Sequence, residues 1–255
     1  MKGVCLPVKI SLLHACWLGR VPYRQAWRLQ TQLAAQIAAD RQPPTLLLLE
    51  HPHTYTLGRS GSWDNLLWDQ EQLDQHGVET FEVDRGGDIT YHGPGQLVAY
   101  PLLPLGQVSP DGRLPGPDYH GYLRQLESVM IHTLAAWGLT ASALPGLTGV
   151  WLASQTASGK PPIVPAKIGA IGVKVDAHGI SRHGAALNIA PEMNYFEGII
   201  PCGIAEHPVT SMAECLAQEP PAAEVRRHFL EQFQREFGGR VEMVSADDLL
   251  AKSRP

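Results

Sequence analysis

Cys202 lies in IIPCGI, between Pro201 and Gly203. Proline fixes the approach of the chain and glycine leaves the sulfur uncovered, so a loop cysteine of this kind can be exposed and nucleophilic. A small buried hydrophobe fits the same residues. Lys167 opens the apolar run KIGAIGV and is one of six lysines, with Lys2, Lys9, Lys160, Lys174 and Lys252. A lysine at a buried strand edge is placed to favour the thiolate of a neighbouring cysteine or to titrate itself, whereas a solvated strand end needs no such role. In RGGDITYHGPGQ (85–96), two adjacent glycines expose backbone N–H groups and admit a close ligand. Arg85 suits a carboxylate, a phosphate or a backbone carbonyl, and His92 can donate, accept or shuttle a proton. A glycine-rich hairpin with a satisfied core histidine explains these residues equally. Neither a phosphate-binding G-x-x-x-x-G-K-[ST] loop nor a glycine fingerprint opening a helix is present. His51 and His53 flank a proline with no acidic ligand nearby, so no metal site is expected from them and His92.

These residues need elements to hold them. KISLLHACW (9–17) reads as a strand. Pro22 opens a helix over 22–41, with Ala26, Leu29, Leu33 and Ile37 on one face. TLLLLE (45–50) suits a strand buried on both faces, and 54–59 continues extended. A helix is expected over 63–76 and a strand over 78–84. Residues 85–103 read as two extended segments joined by a Gly-Pro-Gly turn. A second helix runs from Asp118 to Trp137 with Tyr122, Leu126, Met130 and Leu134 inward, capped by Gly138. Strands follow at 149–153, 167–175 and 184–190, with a loop at 154–165. The stretch 191–212 reads as an ordered, irregular loop. A last helix covers 222–237 and ends at Gly238-Gly239. Together they predict one mixed α/β domain over residues 1–255.

The bulk composition narrows the classes. Hydrophobic residues make up 44% of the chain and charged ones 18%, enough for a core without disulfide or metal staples. A net charge of -5 gives no global reason to expect nucleic acid. The four cysteines (Cys5, Cys16, Cys202, Cys215) form no C-x-x-C pair. Cys16 and Cys215 sit among expected core residues. Reduced thiols and a cytoplasmic home are the simpler expectation. The N-terminus is only mildly apolar, and neither a secretory signal nor a membrane span is expected.

In order along the chain, EHPHTYTLGR, RGGDITYHGPGQLVAYPLL, GVW, KIGAIGVKV, HGAALNI and PCGI resemble the lipoyl(octanoyl) transferases, the octanoyl-carrier-protein:protein octanoyltransferases. The resemblance spans roughly residues 10 to 240. It implies the α+β fold of lipoate and biotin protein ligases, a mixed β-sheet packed with helices. It further implies octanoyl transfer from an octanoyl-acyl carrier protein, through a cysteine thioester, to a lysine of apo lipoyl domains. The expected acceptors are those of 2-oxoacid dehydrogenase complexes and the glycine cleavage H protein, with no cofactor. The family's nucleophile falls on Cys202 and its activating lysine on Lys167. Its substrate-binding segments fall on Arg85, Gly86, Gly87, Asp88, Ile89, Thr90, Tyr91 and His92, on Ala170, Ile171 and Gly172, and on Gly184, Ala185 and Ala186.

The residue chemistry agrees with that resemblance. Thiolate attack on a thioester is nearly balanced in energy, and an adjacent amine assists it. Backbone N–H groups near Cys202 or Gly86-Gly87 are candidates for the oxyanion. The small residues Gly169, Ala170, Gly172 and Gly184 to Ala186 leave room for a linear chain, so a bulky residue at Ala170 or Ala185 should shorten the chain accepted. An acidic carrier calls for a basic surface near the site, with Arg59 and Arg85 as candidates. Three rivals remain. An ATP-dependent ligase of the same fold needs no cysteine. A thioester hydrolase would pair Cys202 with His92 or His183. A silent binding module would need neither Cys202 nor Lys167.

Overall fold

A computed structural model describes residues 8–106, 119–153 and 164–252. Its frame is an eight-stranded mixed sheet in the order β11-β1-β2-β6-β10-β9-β8-β7. The strands are β1 (Leu12–Arg20), β2 (Thr45–Glu50), β6 (Gln96–Leu102), β7 (Ala141–Leu144), β8 (Leu147–Leu152), β9 (Ala166–Val175), β10 (Ser181–Asn188) and β11 (Arg240–Met243). β1 runs parallel to β2 and β11, and the remaining neighbours are antiparallel. A second sheet, β4-β3-β5, holds β3 (Thr54–Leu57), β4 (Glu79–Glu82) and β5 (Thr90–His92).

The leucines of β2 show how the layers are sorted. Successive side chains of a strand point to opposite faces. Leu46 and Leu48 join one core with Leu126, Met130 and Phe233, and Leu47 and Leu49 join another with Ala26, Leu33 and Ile37. The first core lies under α3 (Tyr119–Ala135) and α5 (Ala222–Phe237), and the second under α1 (Tyr23–Ala38). A strand covered on both faces can therefore be apolar at every position. The inward faces expected for the three long helices are the buried ones: Ala26, Leu29, Leu33 and Ile37; Tyr122, Leu126, Met130 and Leu134; Val225, Phe229, Phe233 and Phe237. A third cluster, Tyr55, Leu57, Ile89, Tyr91, Tyr195 and Ile199, fills the small sheet.

Several elements differ from expectation. The first strand spans Leu12–Arg20 rather than 9–17. Residues 63–76 are not one helix: a 3₁₀ turn, Trp63–Asn65, is followed by α2 (Gln70–Gln75), which restarts on an Asp69 capping box. β7, β11 and α6 (Ala246–Lys252) carried no clear periodic signal. The 191–212 loop holds the 3₁₀ turns Met193–Gly198 and Pro201–Gly203 and leads into the short α4 (Met212–Cys215). At its end Cys215 is exposed rather than in the core, whereas Cys16 is fully buried. Asp118, Cys5 and most of the 154–165 loop lie outside the described residues. Among the described residues no helix is long and apolar enough to cross a membrane.

Candidate active site

Lys167 reaches the site because β9 breaks its own alternation. Val150 of β8 pairs with Gly169, but the next residue, Trp151, pairs with Lys167, so β9 carries one extra residue there. Ile168 and the open side of Gly169 both turn toward α3: Ile168 is in the core under that helix, and a Cβ on Gly169 would meet Met130 Sδ at 2.8 Å. A β-bulge of this kind re-aims a side chain. Without it, strict alternation would place Lys167 on the face opposite Ala170 and Gly172. The loop after Pro201 clamps the Lys167 backbone. Its N–H donates to Pro208 O at 2.8 Å, and its carbonyl accepts from Thr210 N at 2.9 Å. Gly149 clears the path of the side chain, since a Cβ there would stand 2.7 Å from Gly169 O and 3.5 Å from Lys167 Cε.

Cys202 sits in the left-handed region, φ 59 and ψ 17, in a 3₁₀ turn started by Pro201. Its N–H donates to Ile89 O at 2.8 Å, which hangs the turn on the small sheet. Asn65 O accepts from Ile200 N, and Gly198 O accepts from Leu67 and Trp68, so the 63–68 segment straps the turn from outside. Gly203 has φ 67, and a Cβ on it would meet Asp88 Oδ2 at 2.7 Å. Asp88 in turn accepts from Asn65 Nδ2 at 2.6 Å.

These two supports bring Lys167 Nζ to 3.2 Å from Cys202 Sγ. Lys167 is buried, Cys202 is partly exposed, and Lys167 Nζ lies 4.6 Å from the Trp151 ring centre. The sulfur borders two hollows. One is a slot whose floor is Ala170, Gly172 and Ala186, facing the same side by register, with Gly184 lining it edge-on, its open side toward Ala99 O. The other is smaller and lies among Lys167, Gln96, Asn188, Phe196, Pro201 and Val209.

The expected binding segments divide by strand alternation. Arg85, Gly87, Asp88, Thr90 and His92 line the slot. Ile89 and Tyr91 turn into the small-sheet core, where Tyr91 O–H meets His53 Nδ1 at 2.8 Å. Gly86 lies outside the lining, its N–H bonded to Val173 O. Ala185 touches the slot but belongs, with Ile171, to the core under α3, so Ala186 is the residue that shares a face with Ala170. Arg85 is buried and spends its guanidinium on Thr56 O, Thr56 Oγ1 and Gly86 O. Burial holds its pKa below the usual arginine value. It is no docking surface. Arg59 is exposed. The N–H groups of Cys202, Gly203 and Gly86 are bonded to Ile89, Ile200 and Val173, so of the amides considered for an oxyanion Gly87 is left, and it lines the slot.

The histidines are occupied as well. His51 bonds Val21 O and Tyr100 Oη, and burial pushes its pKa down to about 4. His92 Nδ1 bonds Gln96 Oε1 at 2.7 Å, and burial holds the ring well below the ordinary histidine range. His183 Nε2 bonds Asp84 Oδ1 at 2.8 Å. The hydrogen bond to Cys202 Sγ comes from Lys167 and from neither histidine. Among the described residues no group of three His, Cys, Asp or Glu could hold a metal ion. Sequence reasoning passed over Tyr23 and Tyr100 as slot residues. Each lies inside an apolar periodic run and reads as core.

The model of the lipoyl protein ligase A/B catalytic domain matches residues 22–234. This chain belongs to that family. An octanoyltransferase of Chloroflexus aurantiacus is 43% identical over 231 residues, covering 90% of this chain and 96% of the relative. One from Rubrobacter xylanophilus is 42% identical, covering 86% and 91%. One from Thermosynechococcus vestitus is 40% identical, covering 95% and 98%. Among solved structures, the bipartite lipoate protein ligase of Thermoplasma acidophilum, described with its E2 lipoyl domain, superposes with a TM-score of 0.68 at 16% identity, over 97% of this chain and 91% of that one. A lipoate-protein ligase A bound with ATP gives 0.63 at 15% identity, over 98% and 93%. The fold is that of the lipoate ligases: a mixed sheet packed with helices.

Proposed function

We propose that this member of the lipoyl protein ligase A/B family is an octanoyltransferase of lipoate biosynthesis working through a Cys202–Lys167 dyad. The donor is an octanoyl-acyl carrier protein and the acceptor a lysine of an apo lipoyl domain. The observation that carries the dyad is the 3.2 Å approach of Lys167 Nζ to Cys202 Sγ at the edge of a slot with a small-residue floor.

Lys167 takes the Cys202 thiol proton, and the thiolate attacks the donor thioester carbonyl. The tetrahedral intermediate collapses, a new C–S bond remains on Cys202, and the carrier thiolate leaves with the proton from Lys167. The acceptor amine then attacks the acyl-cysteine. Lys167 accepts its proton, the C–N bond forms, and the Cys202 thiolate is released to restore the pair. No step consumes ATP or water, which separates this reading from a ligase and from a hydrolase.

The test is intact mass spectrometry after mixing with octanoyl-acyl carrier protein. Wild type should gain one octanoyl group that hydroxylamine removes and an apo lipoyl domain discharges. Cys202→Ser should gain no such labile group. A labile adduct surviving in Cys202→Ser would place the nucleophile elsewhere, and octanoylation from free octanoate plus ATP would overturn the transferase reading.

A further inference from the structure

The slot beside Cys202 is lined by four aromatic and imidazole rings, those of Tyr23, His92, Tyr100 and His183. We propose that Tyr23 and His183 form an end wall that sets the longest acyl chain this enzyme accepts; the inference rests on the acyl-cysteine reading above.

Strand register gives the wall its distance. Cys202 shares both of its hollows with Ala170, which places the thiol near that end of the floor. His183 pairs with Val173, three residues further along β9. At about 3.3 Å per residue that separation is roughly 10 Å. An extended eight-carbon chain, with bonds of about 1.5 Å, spans roughly 9 Å. The floor is thus one octanoyl chain long, and a longer chain would meet the rings.

The wall is anchored from three segments. His183 Nε2–H donates to Asp84 Oδ1 at 2.8 Å, and Asp84 also pairs with Arg182. The His183 backbone N–H donates to Gln30 Oε1 of α1 at 2.7 Å. Tyr23, the first residue of α1, sets its hydroxyl 3.4 Å from His183 Nδ1. Phe81 stacks on the Tyr23 ring with centres 5.3 Å apart, and His51 lies at 4.9 Å. His183 holds φ 56, a conformation that costs a side-chain-bearing residue energy and persists only where its surroundings enforce it. Glycine would adopt that φ without strain. A ring kept there against backbone preference, in line with the slot, is the mark of a side chain needed for its bulk.

The experiment offers the enzyme an equimolar mixture of octanoyl-, decanoyl- and dodecanoyl-acyl carrier protein and reads the Cys202 adducts by mass. Tyr23→Ala and His183→Gly should each raise the decanoyl-to-octanoyl ratio by about tenfold, the gain expected when two further methylenes leave water. Tyr23→Phe, which keeps the ring, should retain the wild-type ratio. Thermal unfolding of each variant shows that the fold persists, and the glycine variant serves if the Tyr23→Ala protein does not fold. Ratios within about twofold of wild type in the folded wall variants overturn the proposal while leaving the acyl-cysteine intact. Failure of wild type to form any adduct overturns the acyl-cysteine reading, and the wall with it.

Discussion

A 3.2 Å contact between an amine and a thiol can serve as a charge pair or as a proton path, and a single substitution separates the two. Arginine keeps the positive charge but cannot give up a proton at ordinary pH. Lys167→Arg should therefore slow acyl transfer by about 100-fold or more, the usual size of general acid–base assistance. Single-turnover rates with a lipoyl-domain acceptor would measure this; near-wild-type rates would mean that charge alone suffices. Gly203→Ala tests the turn that carries the sulfur. A methyl group at φ 67, 2.7 Å from Asp88 Oδ2, has to displace either Asp88 or Cys202. Activity should fall well before thermal stability does. At this scale the sequence named both partners, but only as members of an ordered set of motifs. Thirty-five residues separate them, and no spacing rule joins a strand residue to a distant loop. Tyr23 was illegible for the same reason: its partner His183 is 160 residues away.

The element that decides the site is β9. Its alternating pattern of small and apolar residues was readable as a strand, but its bulge was not. A bulge appears only when the strand is laid against β8, where Val150 and Trp151 take Gly169 and Lys167 as partners. Inserting one alanine after Lys167 would put the new residue in its place and turn Lys167 toward α3. Such a protein should retain strand content by circular dichroism and lose the labile Cys202 adduct. The floor is a second element-scale feature. Because Ala170 and Ala186 share a face, Ala186→Leu should cut octanoyl loading relative to hexanoyl. Ala185→Leu should instead lower stability, since that side chain belongs to the core under α3. The long helices were legible because their period repeats, and the two-faced β2 because its apolar run is unbroken. The split of 63–76 was not, because its break depends on the 63–68 segment bonding across to residues 198–200.

Across the whole molecule, burial of histidines ties stability to pH. Unfolded His51 protonates as pH falls through about 6.5, whereas the folded side chain resists until about 4. The unfolded state then binds more protons, so stability falls as pH drops across that window, by on the order of 3 kcal/mol for this residue. His92 and His183 are depressed in the same direction by burial. Denaturant midpoints from pH 7 to 4 should decline, and His51→Gln should decline less steeply. Charge distribution is the other whole-molecule property. From His183 to Val225 the chain holds Glu192, Glu197, Glu206, Glu214, Glu219 and Glu224 and no Lys or Arg. The segment carrying Cys202 is therefore no basic landing for an acidic carrier, and exposed Arg59 stands on the 58–61 turn beside Asp88. Arg59→Glu should raise KM for octanoyl-acyl carrier protein more than for octanoyl-pantetheine, a difference that high salt erases. Equal effects on both donors would remove Arg59 from docking.

The Trp151 ring beside Lys167 Nζ gives the chemistry an optical signal. An indole face senses a cation at this range. As Lys167 gains and yields its proton, the emission of Trp151 should change with it. Stopped-flow fluorescence of wild type minus Trp151→Phe would then record loading and unloading of Cys202 in real time, with no label on either protein substrate.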